Sequence, residues 1–117
     1  MNKNENSTRF YSDKHEKSVC RALNAQQTAN SGASKFAKGD CVNKSASLLI
    51  ECKTVMTPKN SISIKKDWIL KNKDEAFSNR LLNQAIAFNF EPDGDNYYVI
   101  NEKLMKYLVE KLAEESE

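Results

Sequence analysis

The sequence predicts one mixed α/β domain, a five-stranded sheet flanked by helices, and three observations carry that prediction. The chain has 117 residues, enough for one hydrophobic core and too few for two ordinary domains. Apolar residues change period along it, from helical spacing around Val19, through short strand-like runs around Ile50, Ile86 and Val99, to helical spacing again beyond Asn101. The turn-rich stretch "EPDGDN" joins two of the strand-like runs, as a hairpin requires. Helices set between strands then place one sheet between helical layers.

Taken in order, "MNKNENSTRF" is polar and aperiodic, which predicts a loose tail over 1–10 and a domain over 11–117. "YSDKHEKSVCRALNAQQ" predicts a first helix, with Ser12 or Asp13 as N-cap, Glu16 in the first turns and Val19, Cys20, Ala22 and Leu23 on its apolar side. "TANSGAS" breaks that helix through Asn30, Ser31 and Gly32, residues that suit turns or an irregular strand, and "KGDCVN" reads as a short strand entered by a turn. "SLLIECKTV" is the clearest strand, with a centre expected to be covered on both faces. A second helix is predicted within "SIKKDWILKNKDEAFSNRLL", where Ile64, Trp68, Ile69 and Phe77 recur at helical spacing. Trp68 and Phe77 are expected to pack in the core or between subunits. "QAIAFNF" and "YYVI" form the hairpin. A last helix opens on Asn101 as N-cap and places Leu104, Met105, Leu108, Val109 and Leu112 on one face. That stripe is expected to cover the domain's own sheet, with a dimer face as the alternative.

Eighteen Lys and Arg stand against sixteen acids, a net charge of +2, which makes no global case for a polyanionic partner. The distribution is more informative. Acids gather at the C-terminus, while Lys35, Lys38, Lys44, Lys53, Lys59, Lys65, Lys66, Lys71, Lys73 and Arg80 crowd the middle, a segment able to follow a phosphate backbone or simply to face solvent. The three cysteines, Cys20, Cys41 and Cys52, are odd in number and form no C-x-x-C pair. This argues against a zinc site and a disulfide framework, and for small buried hydrophobes in a reducing compartment. No apolar stretch approaches the ~18 residues of a membrane span, and no signal pattern opens the chain. A cytoplasmic location and no membrane partner are the expectation.

The chemistry lies in "GDCVNKSASLLIECKT". Strand residues two apart share a face, with Cα atoms roughly 6.5–7 Å apart, so Glu51 and Lys53 project together and Cys52 projects away. Asp40 precedes Glu51 by the length of two short antiparallel strands and a turn, which brings its carboxylate beside Glu51. Two adjoining carboxylates call for a cation, and hard oxygens suit Mg²⁺ or Mn²⁺. Such an ion polarises a phosphodiester and activates water, while Lys53 positions the water or offsets charge in the transition state. The Cys52 carbonyl and Glu16 are the further candidate ligands. Alone, an E-x-K at a strand end is also an ordinary surface ion pair. Here an upstream aspartate in a G-D turn, an apolar run leading into E-C-K and an earlier helix with a glutamate accompany it.

With these residues the sequence resembles the PD-(D/E)xK nucleases of restriction-endonuclease-like fold, Gly39-Asp40 standing where that family usually has Pro-Asp. More closely, "HEKSVCRALNAQQTANSGASKFAKGD" followed by "LLIECKT" is similar in layout to archaeal and phage-type Holliday junction resolvases. The likeness covers roughly Glu16 to Thr54; beyond it, only the order of elements agrees. The resemblance implies a Mg²⁺-dependent endonuclease acting on branched DNA, with Asp40, Glu51 and Glu16 contributing to metal binding, Lys53 to catalysis, and Ser31 near the active centre or the scissile phosphate. Cutting two symmetric strands from a domain with one site implies a homodimer. The competing readings are a nuclease of the same fold acting on duplex or flap DNA, and a non-catalytic DNA-binding module of that fold.

Other residues carry less. His15, a lone histidine at a polar helix start, is expected to be exposed and incidental. "DGDN" lacks the spacing of a calcium loop and reads as a hairpin turn. Lys65 and Lys66 open the second helix, where positive charge opposes the helix dipole and suits a docked phosphate. With Lys35 and Lys38 they are the nucleic-acid-binding candidates.

Overall fold

The structure, a computed structural model, describes residues 3–28 and 40–116. Its elements are α1 (Lys3–Ala22), β1 (Gln26–Gln27), β2 (Asp40–Asn43), β3 (Leu48–Lys53), α2 (Lys66–Ser78), β4 (Asn83–Phe88), β5 (Tyr97–Ile100) and α3 (Glu102–Glu115). The strands form one mixed sheet in the order β1-β2-β3-β4-β5, antiparallel throughout except for the parallel pair β3 and β4. Helix α2 makes the crossover that a parallel pair demands. This is the mixed α/β domain with a five-stranded sheet that the sequence predicts.

The side chains of β3 alternate between the two faces. On one face Ile50 joins Cys41, Ala85 and Ala87 against Val19 and Cys20 of α1, with Leu48 and Cys52 packed beside them. On the other, Leu49 packs with Val42 and with Ala76 of α2. Leu49 and Ile50 are both completely buried, as expected for a strand covered on both sides.

Several expectations need correction. Helix α1 begins at Lys3, inside the stretch read as a tail. Once a helix is nucleated by packing, further turns extend it at little cost, and exposed turns need no apolar period to announce them. The same helix stops at Ala22, and Gln26–Gln27, expected within it, form β1. The stop is a Schellman motif: Asn24 takes φ 51°, and the Ala25 amide donates to the Cys20 carbonyl at 2.8 Å. Helix α2 ends the same way, with Arg80 at φ 59° and the Leu81 amide donating to Ala76 at 2.8 Å. Leu81 then packs on the cluster containing Ala76, the apolar contact that accompanies this motif.

The face of α2 turned inward also differs. Phe77 is 84% exposed, whereas Asn72 and Ala76 are buried. Residues 68, 72, 76 and 79 form the inward row, which recurs at helical spacing, and Phe77 lies off it. At the last helix, Asn101 caps as predicted, its Oδ1 accepting from the Leu104 amide at 2.9 Å. The stripe beyond it does not cover the sheet, since none of α3 is buried.

The cysteines are the largest departure. Cys20 and Cys41 form a disulfide between α1 and β2, with Cα atoms 5.7 Å apart, and Cys52 is the free cysteine. Cysteine arithmetic on three residues cannot reveal a pair that the fold brings together across a helix–sheet contact. No helix among the described residues is long and apolar enough to cross a membrane.

Candidate active site

Strands β2 and β3 are in a register that sets Asp40 directly opposite Glu51. Directly opposed residues of an antiparallel pair have Cβ atoms about 4.5–5.5 Å apart, so the two carboxylates meet on the α2 side of the sheet. Asp40 is buried to 1% exposure. Its main-chain carbonyl accepts from the Thr28 amide at 3.0 Å and lies 3.3 Å from the Thr28 hydroxyl, which fixes the strand where β1 ends.

Lys53 shares the face of Glu51, and its Nζ stands 3.5 Å from Glu51 Oε1. The other carboxylate oxygen, Oε2, is buried without a hydrogen-bond partner among the described residues. The row Leu49, Glu51, Lys53 thus begins in the core and ends in a polar site. The two charges that a core strand would not carry lie beyond the part of the strand that Ala76 of α2 covers.

A residue that sequence reasoning assigned to packing completes this cluster. The Trp68 ring lies beneath the Lys53 ammonium, 4.6 Å from Nζ to the centroid, and Lys65 approaches the same ring at 5.8 Å. The placement follows from element geometry. From Ala76 back to Trp68 is eight helical residues, about 12 Å, and from Leu49 to Lys53 is four strand residues, about 13 Å. Ala76 packs beside Leu49, so Trp68 arrives over Lys53. Cation–π contact of this kind is worth about 0.5–2 kcal/mol and holds a flexible lysine in one place. The signal available in the sequence was the eight-residue spacing itself.

Trp68→Ala is accordingly expected to release Lys53. With lysines reductively methylated by ¹³C-formaldehyde, the Lys53 methyl resonance should lie upfield through the ring current, move to the position of the exposed lysines in Trp68→Ala, and stay shifted in Trp68→Phe. An unchanged resonance in Trp68→Ala would mean that the ring does not hold the ammonium.

Glu16 reaches the neighbourhood from the other layer. Its Oε2 accepts from Gln27 Nε2 at 3.1 Å, and it lines a groove with Arg9, Ser12, Cys52 and Lys53. Cys41 Sγ lies 3.5 Å from the Glu16 main-chain carbonyl, so the disulfide sits directly behind this turn of α1. Cys52 projects to the α1 side as expected, so its thiol is turned away from the face that carries Glu51 and Lys53. Burial pushes the Cys52 thiol up to about 12, and the charges of Glu16, Asp40 and Glu51 push in the same direction. These three carboxylates do not converge as a ligating trio: among the described residues no group of three His, Cys, Asp or Glu side chains is arranged to hold a metal. The donor set that the structure assembles is the opposed pair Asp40 and Glu51. It fits Mg²⁺, which is commonly held through one or two carboxylates and keeps several waters.

His15 is not exposed. It is buried at 5% exposure, with Nδ1 2.8 Å from Thr54 Oγ1, and so ties α1 to the end of β3 next to Lys53. Burial lowers its pKa, opposed in part by the Asn96 side chain, which makes it a neutral anchor. The turn at Asp93 and Gly94 joins the hairpin as predicted, with the Gly94 amide donating to the Glu91 carbonyl at 3.0 Å. Lys66 begins α2 and Lys65 is its N-cap position, without a side-chain capping bond. Ser31, Lys35 and Lys38 lie outside the described residues. No protein-family model, curated protein or solved structure matches this chain.

Proposed function

We propose that this protein is a Mg²⁺-dependent endonuclease of restriction-endonuclease-like fold that hydrolyses phosphodiester bonds in branched DNA, in the manner of a Holliday junction resolvase. The observation that carries the reading is the ladder pair of Asp40 and Glu51, with Lys53 two residues on along the same face. Supporting it is the order of a helix bearing Glu16, a strand opening on the aspartate, and a strand ending in E-C-K, which is the order that the sequence resemblance implies.

A divalent ion between the two carboxylates would supply Lewis acidity at a phosphoryl oxygen and activate the attacking water. The chain's own residues do the rest. Asp40 and Glu51 present hard oxygens from rigid strands, so their separation changes little when substrate arrives. Lys53, held by Glu51 and Trp68, places a positive charge where a phosphodiester accumulates negative charge on its way to the pentacovalent transition state. Glu16 bounds the groove beside Lys53 and contributes a third carboxylate for the water or for a second ion. Lys65 and Lys66 lie at the same end of the sheet and provide charge for the DNA backbone.

The test is cleavage of a labelled four-way junction and a matched linear duplex, with Mg²⁺ and with EDTA. Paired nicks across the junction that vanish with EDTA are the expected result. Equal cutting of junction and duplex would retain the nuclease and remove the branched substrate. Binding of both with no cleavage in Mg²⁺ or Mn²⁺ would replace the enzyme by a DNA-binding module.

A further inference from the structure

Helix α3 displays an apolar stripe that its own domain leaves uncovered. Met105, Leu108, Val109 and Leu112 are 53%, 42%, 51% and 64% exposed. A helix of 14 residues is marginal in water unless its apolar face is buried. The charges on α3 indicate what buries it. Helices favour acids at the N-terminus and bases at the C-terminus. On balance α3 does the reverse: Lys103 and Lys106 outweigh Glu102 in its first half, Glu110, Glu114 and Glu115 outweigh Lys111 in its second, where Lys111 pairs with Glu114 at 3.4 Å, and no basic residue stands in the last turn. A parallel partner would compound this arrangement by setting like charges side by side. An antiparallel copy relieves it, because each acidic end then meets two lysines and the positive end of the other helix.

We propose that α3 is the face through which two copies of this chain associate, antiparallel across a two-fold axis. Such an interface is isologous, so one stripe serves both partners. A stable interface buries roughly 1,200–2,000 Å² in total, and the α3 stripe is extended by an adjoining groove of about 630 Å³. Leu48, Ala85, Tyr98, Ile100, Tyr107 and Leu108 contribute to its lining. The pairing does not depend on the nuclease reading, and it would give a junction-cutting enzyme two symmetric sites.

The experiment is sedimentation equilibrium of the full chain from about 1 to 100 μM, a range that reads micromolar dissociation constants. A monomer–dimer equilibrium is expected. Leu108→Asp with Leu112→Asp should raise its dissociation constant at least ~100-fold, and both positions are exposed, so circular dichroism should be unchanged. Lys103→Glu with Lys106→Glu should raise it at least ~10-fold, and adding Glu110→Lys with Glu114→Lys should restore it. A monomer at every concentration, a dimer indifferent to the aspartates, or failure of the fourfold exchange to restore pairing would each overturn the proposal.

Discussion

Glu51→Gln is expected to abolish Mg²⁺-dependent cleavage while leaving the fold intact. The substitution keeps the shape of a side chain that is only 20% exposed and removes one of the two charges that face each other across the β2–β3 ladder. Loss of one electrostatic group at a reacting centre typically costs about 10²–10³ in rate, and loss of a metal ligand at least as much. Lys53→Ala should fall in the same range, for a different reason: the metal would still bind, but the charge facing the phosphodiester would be gone. Thermal unfolding separates the two. Mg²⁺ should raise the Tm of the wild type and of Lys53→Ala, since a ligand that binds only the folded state stabilises it, and should leave Glu51→Gln unmoved. Without the ion, Glu51→Gln should be at least as stable as the wild type. Like charges directly opposed in a sheet are destabilising, and the 3.5 Å pair with the partly exposed Lys53 contributes less than about 1 kcal/mol. Full cleavage by Glu51→Gln would remove the proposed site.

The second large effect is expected from the disulfide. Cys20 and Cys41 are 21 residues apart in sequence, and closing a loop of that length stabilises by about 3 kcal/mol in the chain-entropy description. Cys20→Ala with Cys41→Ala should therefore lower Tm by about 10 °C for a domain of this size. The bridge itself is tested by alkylation in denaturant without reductant, followed by mass measurement. One label, on Cys52, is expected; three labels would show that the bond does not form. In the folded protein Cys52 should resist labelling too, because its thiol is pushed up to about 12 and the thiolate is the reactive form. The bond has a functional side. Cys20 lies one turn beyond Glu16, and Cys41 follows Asp40, so the bridge fixes the helix that carries one carboxylate to the strand that carries another.

What the sequence makes legible depends on where each signal resides along the chain. The E-C-K strand could be read because its apolar run and its two charges are consecutive. The hairpin and the Asn101 cap could be read because turn and capping chemistry are local. The end of α1 escapes the sequence reading because Asn24, not a glycine, takes the left-handed position that stops the helix, and asparagine is the weaker of the two stop signals. Trp68 was assigned to packing because a helical stripe does not say which of its residues lies over the core and which lies over a charge. His15 seemed exposed because the strand end that buries it is 39 residues away.

By itself the sequence determined the class of fold, the order of its elements and the pairing of Glu51 with Lys53 on one strand face. These rest on period, capping and turn preferences that act over a few residues. The strand–turn–strand spacing also brought Asp40 beside Glu51, the register that the structure has. Tertiary structure alone decided that Trp68 lies beneath Lys53, that Cys20 bonds to Cys41 and that α3 is left uncovered. Each of these depends on how helices pack against the sheet, which brings together, or leaves apart, residues of different elements. No local preference of the chain encodes such packing.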